Sequence, residues 1–308
     1  MNIASYITPV GLRQSELNTE RETHDNILAE LCLEASRDWE GLCGGKKFYP
    51  YKATKLFDHP ELKNDEHSTL RVGDEILQVI SMTTRNTAES IATSDIILRN
   101  GPPPHGLTNE SPYDRIELKY GSTGYTTNFQ WADTPQQANS VVAFWGYVPG
   151  WTGAVATDSC WIDSMADIQS VTSSTITVDS LAGVNGLGLY PRVRKFDLVM
   201  WFNTTYTDME MGFVIDIEEE TGILTVNRGV NGTSVATPSG TPSLYVYRPP
   251  ADIVRAVRRL AAFYYRARAT SRGDIDRPVL GPGGTLVLPA GLPKDVGETM
   301  MRYQGVLD

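Results

Sequence analysis

The sequence predicts an α+β protein in which a core containing two long helices is interrupted by an all-β stretch. Three observations carry this. Apolar residues recur at helical spacing in two separate places, near residues 27–42 and again at 251–268. Between these two segments the apolar residues come only in short β-type runs. Within 151–248 the runs alternate with turns rich in Gly, Asn, Thr and Ser and show no helical period, the pattern of a small barrel or sandwich.

The chain is long enough for two domains: 308 residues, 41% of them hydrophobic, can bury a sizeable core. Its formal net charge of -10 argues against general nucleic-acid binding and leaves room for a local basic patch. No apolar run reaches membrane-spanning length, and the N-terminus lacks a basic start followed by an apolar stretch, so secretion by signal peptide is not expected. Cys32, Cys43 and Cys160, an odd set without a Cys-x-x-Cys pair, read as reduced thiols of a cytoplasmically made protein.

The first 18 residues read as an irregular arm. A helix follows, with Ile27, Leu28, Leu31, Ala35, Trp39 and Leu42 on its apolar face, Thr23 and Asn26 at its cap, and Gly44-Gly45 as its stop. Between Glu16 and Glu40 eight acids face two arginines, so this helix is acidic. Strands are expected at Ala53–Phe57, Thr69–Val72, Ile76–Thr83, Asp95–Leu98, Arg115–Leu118 and Val141–Tyr147. Proline-rich breakers at 101–104 and 111–112 separate some of them. In the all-β stretch the expected strands are Thr175–Val178, Leu198–Phe202, Gly212–Ile217, Ile223–Val226 and Leu244–Tyr247. Glu218-Glu219-Glu220-Thr221-Gly222 reads as the polar tip of a hairpin.

After Pro249-Pro250 a second long helix carries Ile253, Val257, Leu260, Phe263, Tyr264 and Ala267 on one face, and Arg255, Arg258, Arg259 and Arg266 on the other. The tail then turns irregular, with an apolar strip Leu286-Val287-Leu288 and a short helix from Asp295 to Arg302. Such a tail cannot bury its apolar residues within itself. It needs a groove on its own domain or on a neighbour.

Catalytic chemistry is not legible in the sequence. His24, His59, His67 and His105 show no metal-ligand spacing and read as solvated surface residues, so no metal or cofactor is expected. Gly281-Pro282-Gly283-Gly284-Thr285 lacks the Gly-Lys-Ser/Thr ending of a phosphate loop, and no Gly-x-Ser-x-Gly elbow occurs. Acid pairs of glycosidase type exist in any acid-rich chain, and their spacing is a three-dimensional matter. The expectation is that the chain is not an enzyme.

Charge segregation is more informative. An acidic helix bearing Glu30, Glu34 and Asp38 and a basic helix bearing Arg255, Arg258, Arg259 and Arg266 occur in one chain. The plain reading is two solvated faces. The assembly readings are complementary surfaces meeting between subunits, or an arginine stripe facing DNA in a channel. The matching lengths of the two helices favour the subunit interface.

Five segments, in order, resemble the phage head–tail connector (adaptor) proteins. An acidic helix ending Ala35-Ser36-Arg37-Asp38-Trp39 leads through Cys43-Gly44-Gly45-Lys46-Lys47-Phe48-Tyr49-Pro50 into a strand ending Phe57-Asp58. It resembles that family's helix, Gly-Arg-Arg-Phe-Tyr-Pro-like turn and first strand, with lysines at the two arginine positions. Ser111-Pro112-Tyr113 with Ile116-Glu117-Leu118 and the run Val142-Ala143-Phe144-Trp145-Gly146-Tyr147 are similar to its Pro-Tyr and Trp-Gly-Tyr strands. The helix Ala251–Arg268 and the tail Leu292-Pro293-Lys294-Asp295-Val296 with Tyr303 are similar to its closing helix and extension.

The resemblance implies a helical adaptor core with a small β-sheet in 1–150 and 249–308, an inserted all-β domain at 151–248, and an extended C-terminal tail. It also implies a homo-oligomeric, dodecameric ring under the portal protein, in the neck of a virion assembled in the host cytoplasm. Such a ring extends the DNA channel, touches double-stranded DNA without reading sequence, and presents a platform to a tail, stopper or nozzle protein; no membrane is involved. The residues implied to dock on the portal are Leu286, Val287, Leu288, Val296, Met300, Met301 and Tyr303. The insert departs from the compact family. Its Val226-Asn227-Arg228-Gly229-Val230-Asn231-Gly232-Thr233 resembles a turn of other phage structural proteins. The alternative for the whole chain is a tail-associated carbohydrate-binding or hydrolytic β protein, with Trp151, Trp161 and Trp201 as candidates for stacking on sugars.

Overall fold

The computed structural model describes residues 5–17, 25–60, 68–86, 89–100, 112–119, 128–151, 160–162, 167–183, 192–202, 208–237, 242–270, 279–280, 286–287 and 293–303. The protein is mostly β, built on two antiparallel sheets, one of them curled as a half-barrel. The expected helical adaptor core is therefore corrected: helices flank the sheets, and the α+β description fits only loosely. The physical reason is burial. Each long helix buries one stripe, while the strands supply residues from both faces to the interior.

The arm is not irregular. Thr8 caps a short helix α1 (Pro9–Leu12), accepting the Gly11 N–H at 3.1 Å, and a π-helical turn Arg13–Leu17 continues it. Tyr6, Ile7 and Leu12 are buried. Helix α2 (Asp25–Leu42) buries Leu28, Leu31, Cys32, Ala35 and Trp39, whereas Ile27, expected on that face, is exposed. The end of α2 is closed by the Gly45 N–H donating to the Glu40 carbonyl at 2.8 Å, as the glycine pair predicts. Thr23 lies outside the described residues.

The first sheet contains β1 (Tyr51–Phe57), β2 (Thr69–Thr84), β3 (Glu89–Ile91), β4 (Ile96–Arg99), β5 (Tyr113–Leu118) and β6 (Asn139–Trp145), in the order β1-β6-β2-β5-β4 with β3 also on β2. The two strands expected at 69–72 and 76–83 are one, β2. Gly73-Asp74-Glu75, which reads as a breaker, is accommodated where the pairing register with β5 shifts between Arg71 and Ile76.

The second sheet contains β7 (Trp161–Ile162), β8 (Ile168–Val171), β9 (Thr175–Val178), β10 (Leu198–Trp201), β11 (Glu210–Glu218), β12 (Ile223–Arg228) and β13 (Tyr245–Tyr247), in the order β7-β13-β10-β11-β12-β9-β8. The β11–β12 hairpin turns at 219–222, as the acid cluster followed by Thr221-Gly222 predicts. Period-two alternation divides its side chains between two interiors. Val199, Trp201, Val214, Leu224, Val226 and Val246 pack within the curl of the sheet. Leu198, Met200, Met211, Phe213 and Tyr247 point the other way and join the cluster formed by the first sheet and the helices.

After β13, α3 (Ala251–Thr270) packs on α2 and buries Ile253, Ala256, Val257, Leu260, Ala261 and Ala262. The tail forms a short antiparallel pair, β14 (Val279–Leu280) with β15 (Leu286–Val287), and then α4 (Lys294–Tyr303), which packs against α3. Among the described residues no helix is long and apolar enough to cross a membrane.

Candidate functional site

Three of the segments singled out from sequence, the turn after α2, the Trp-Gly-Tyr run and the tail, meet at one residue. Lys46-Lys47-Phe48-Tyr49-Pro50 connects α2 to β1, and Phe48 is fully buried. Its ring has Tyr303 of α4 edge-on at 5.2 Å, Tyr147 at 5.7 Å, Tyr6 of the arm at 5.9 Å and Trp39 of α2 at 6.3 Å between centroids. Its backbone is held from two further directions. The Phe48 N–H donates to the Tyr6 hydroxyl at 2.9 Å, and the Tyr247 hydroxyl of the second sheet donates to the Phe48 carbonyl at 2.6 Å.

Gly146 completes the joint. Its φ is +127°, and a Cβ there would stand 2.3 Å from the Tyr49 carbonyl oxygen. Glycine is thus required at 146, where the chain leaving β6 passes the turn, because only glycine permits that approach.

The charges around this joint are internal. The Tyr6 hydroxyl donates to Glu40 Oε1 at 2.6 Å, and Arg37 Nη1 donates to Glu40 Oε2 at 2.9 Å. Burial, then the neighbouring Glu40 carboxylate, push the Tyr6 hydroxyl well above its ordinary pKa, so it stays a neutral donor. Burial lowers the Lys47 ammonium, which sits 4.1 Å over the Tyr51 ring, while Lys46 pairs with Glu75 at 2.8 Å. The two lysines therefore brace the turn.

The second sheet is docked by the turn Arg228-Gly229-Val230-Asn231-Gly232-Thr233. The Lys52 N–H of β1 donates to the Asn231 carbonyl at 2.8 Å, which occupies an edge that β1 would otherwise leave open. Gly232 has φ +78°, and its hypothetical Cβ would lie 1.9 Å from the Lys52 carbonyl oxygen. Arg228 makes a two-pronged pair with fully buried Glu210, Nε to Oε1 at 2.8 Å and Nη2 to Oε2 at 2.6 Å.

The residues singled out from sequence fall into three groups. In the tail, Val296 is fully buried, Met300 packs against the main cluster, and the Tyr303 hydroxyl donates to Asp252 Oδ2 at 2.5 Å. The helical end of the tail has its groove on its own chain. Met301 is 72% exposed, Leu286 and Val287 lie in β15, and Leu288 falls outside the described residues. The basic residues do not form one stripe. Arg255 is exposed, Arg259 pairs with Asp295 at 2.7 Å, Arg266 donates to the Glu16 carbonyl at 2.9 Å, and Arg258 turns inward toward Arg194 and Arg248. Of the acidic residues, Glu30 and Glu34 are exposed on α2, and Asp38 accepts the Tyr264 hydroxyl of α3 at 2.8 Å.

Trp151, Trp161 and Trp201, candidates for sugar stacking, are all buried and belong to the packed interior. His59, expected at the surface, is buried, its Nε2 2.9 Å from the Phe129 carbonyl oxygen; the other three histidines lie outside the described residues. Among the described residues no group of three His, Cys, Asp or Glu is placed to hold a metal ion.

Sequence reading missed Tyr6, Tyr247, Glu210 and the inward turn of Arg258. The one available signal was the adjacent apolar pair Tyr6-Ile7 in the arm. A comparison against protein-family models, one against curated proteins and one against solved structures each find no match for this chain.

Proposed function

We propose that this chain is a structural subunit of the neck of a tailed phage, a head-to-tail adaptor that forms a homo-oligomeric ring beneath the portal. What supports the reading is the convergence at Phe48. Three segments resembling the connector family, far apart in sequence, contribute Trp39 and Phe48, Tyr147, and Tyr303 to one aromatic cluster. Residues that must meet to form one joint give a reason for the order and spacing of those segments.

The ring extends the DNA channel and offers a platform to the tail or stopper protein. Glu30, Glu34 and Arg255 are exposed on α2 and α3 and supply charges of both signs for a subunit contact. Because Val296 and Tyr303 are taken up by the chain's own interior, portal docking falls to the rest of the tail, Met301 and the β15 residues Leu286 and Val287. Replacing all three, L286E/V287E/M301E, is expected to weaken pull-down of the portal protein from the same virus by about tenfold or more, with thermal unfolding unchanged. Full-strength pull-down by the triple variant would remove the tail from this role.

A further inference from the structure

Where the arm, the second sheet and α3 meet, a recessed cavity of about 40 Å3 lies between Arg194, Arg248 and Arg258. Asp197 is the one acid on its wall, and its Oδ2 already accepts the Arg194 backbone N–H at 2.7 Å. Among the described residues three guanidinium groups thus share the cavity wall with one carboxylate, and Glu16 acts on Arg258 from outside it. Burial pushes that carboxyl up to about 6, so at pH 7.5 it remains a single negative charge among the three guanidinium groups. Burial also lowers Arg248 and Arg258, and the positive charge of Arg194 lowers each of them further.

The decisive detail is in the hydrogen bonds. Nε of Arg248 and Nε of Arg258 are both buried, and neither has a partner among the described residues. Burying a cationic donor without an acceptor is unfavourable, and here two such donors border the same small cavity. A planar guanidinium presents its donors in a fork that matches the oxygens of an oxyanion.

We propose that this cavity is a binding site for a small tetrahedral oxyanion of the phosphate or sulfate class, held chiefly by Arg248 and Arg258. Size selects the ligand. A single water needs roughly 10–15 Å3 measured in the same way, so the cavity admits an ion of a few heavy atoms and excludes a nucleotide, a sugar or a stretch of DNA backbone. Bound there, the ion bridges α3 through Arg258 to the end of the second sheet through Arg248, beside Ser5 and Thr8 of the arm. It therefore locks together three elements that otherwise meet around unbalanced positive charge. This site is independent of the ring assembly proposed above.

The test is isothermal titration of the full-length protein with inorganic phosphate at pH 7.5 and constant ionic strength, with sulfate and acetate as further arms. Saturable binding of phosphate is expected, with sulfate competing and acetate ineffective. Arg248→Gln and Arg258→Gln should each weaken it about tenfold or more, while Arg255→Gln, exposed on the same helix, should leave it unchanged. Absence of saturable heat in the wild type would overturn the proposal, as would binding that survives both glutamine substitutions together. Equal binding of acetate would overturn the tetrahedral assignment. If the glutamine variants fail to fold, the wild-type arms alone decide.

Discussion

Phe48→Ala is expected to destabilise the protein by about 3–5 kcal/mol, measured as the shift in urea unfolding free energy. The ring is fully buried, and its neighbours come from the arm, α2, the second residue after β6, and α4. They cannot all collapse into the space it leaves, because each is held elsewhere. Tyr6 is tied to Glu40, Tyr303 to Asp252, and the Tyr147 backbone N–H donates to the Lys47 carbonyl at 2.7 Å. A cavity that cannot relax sits at the costly end of the range for large-to-small substitutions. Phe48→Leu keeps most of the volume and should cost less than about 1.5 kcal/mol. Because α4 docks through Tyr303, limited proteolysis of the alanine variant should cut first near 293–303. A loss below about 1 kcal/mol would mean that Phe48 is not the joint described here.

Glu210→Ala is expected to cost a similar amount, about 3–5 kcal/mol, for a different reason. The Glu210 carboxylate accepts four N–H donors: Arg228 Nε and Nη2, the Gly229 backbone at 3.2 Å and the Ala236 backbone at 2.7 Å. Alanine leaves the guanidinium of Arg228, itself buried, without its carboxylate. The geometry of the turn that follows depends on this pair, and that turn places Asn231 and Gly232 on β1. Loss of Glu210 therefore loosens the second sheet from the first. Glu210→Gln keeps the shape and one acceptor oxygen, and should cost less than the alanine variant, about 1–3 kcal/mol. Urea unfolding followed by tryptophan fluorescence checks both. Equal effects of the two substitutions would mean that the charge of the carboxylate, and not the shape of the side chain, sustains the turn.

How much of this was legible in the sequence varies with the range of the interaction. The hairpin tip at Glu218–Gly222 and the glycine stop of α2 are local, and periodicity and turn chemistry found them. In sequence, 69–72 and 76–83 read as two strands, and only pairing with β5 shows that the chain continues as one strand through a register shift. The fold class was misjudged for a related reason. Two strongly periodic helices are conspicuous, whereas the contribution of β10, β11 and β13 to two interiors at once depends on which neighbours cover each face.

The assembly residues divide in the same way. The Lys-Lys-Phe-Tyr-Pro turn was visible as a motif, but not that Tyr6 and Tyr247, 42 and 199 residues from Phe48, would grip its backbone. Four arginines along one helix look alike in sequence. The structure pairs Arg259 with Asp295, bonds Arg266 to Glu16, exposes Arg255 and turns Arg258 into a cavity. Helical spacing gives a face but not what the face meets.

The proposed adaptor role stands or falls on self-assembly. Mass photometry of the full-length protein, alone and mixed with the portal protein of the same virus, tests it most directly. The account predicts a discrete closed oligomer at about twelve times the 34.0 kDa subunit mass, in one condition or both. A species that stays at the subunit mass in both, across the accessible concentration range, would contradict it.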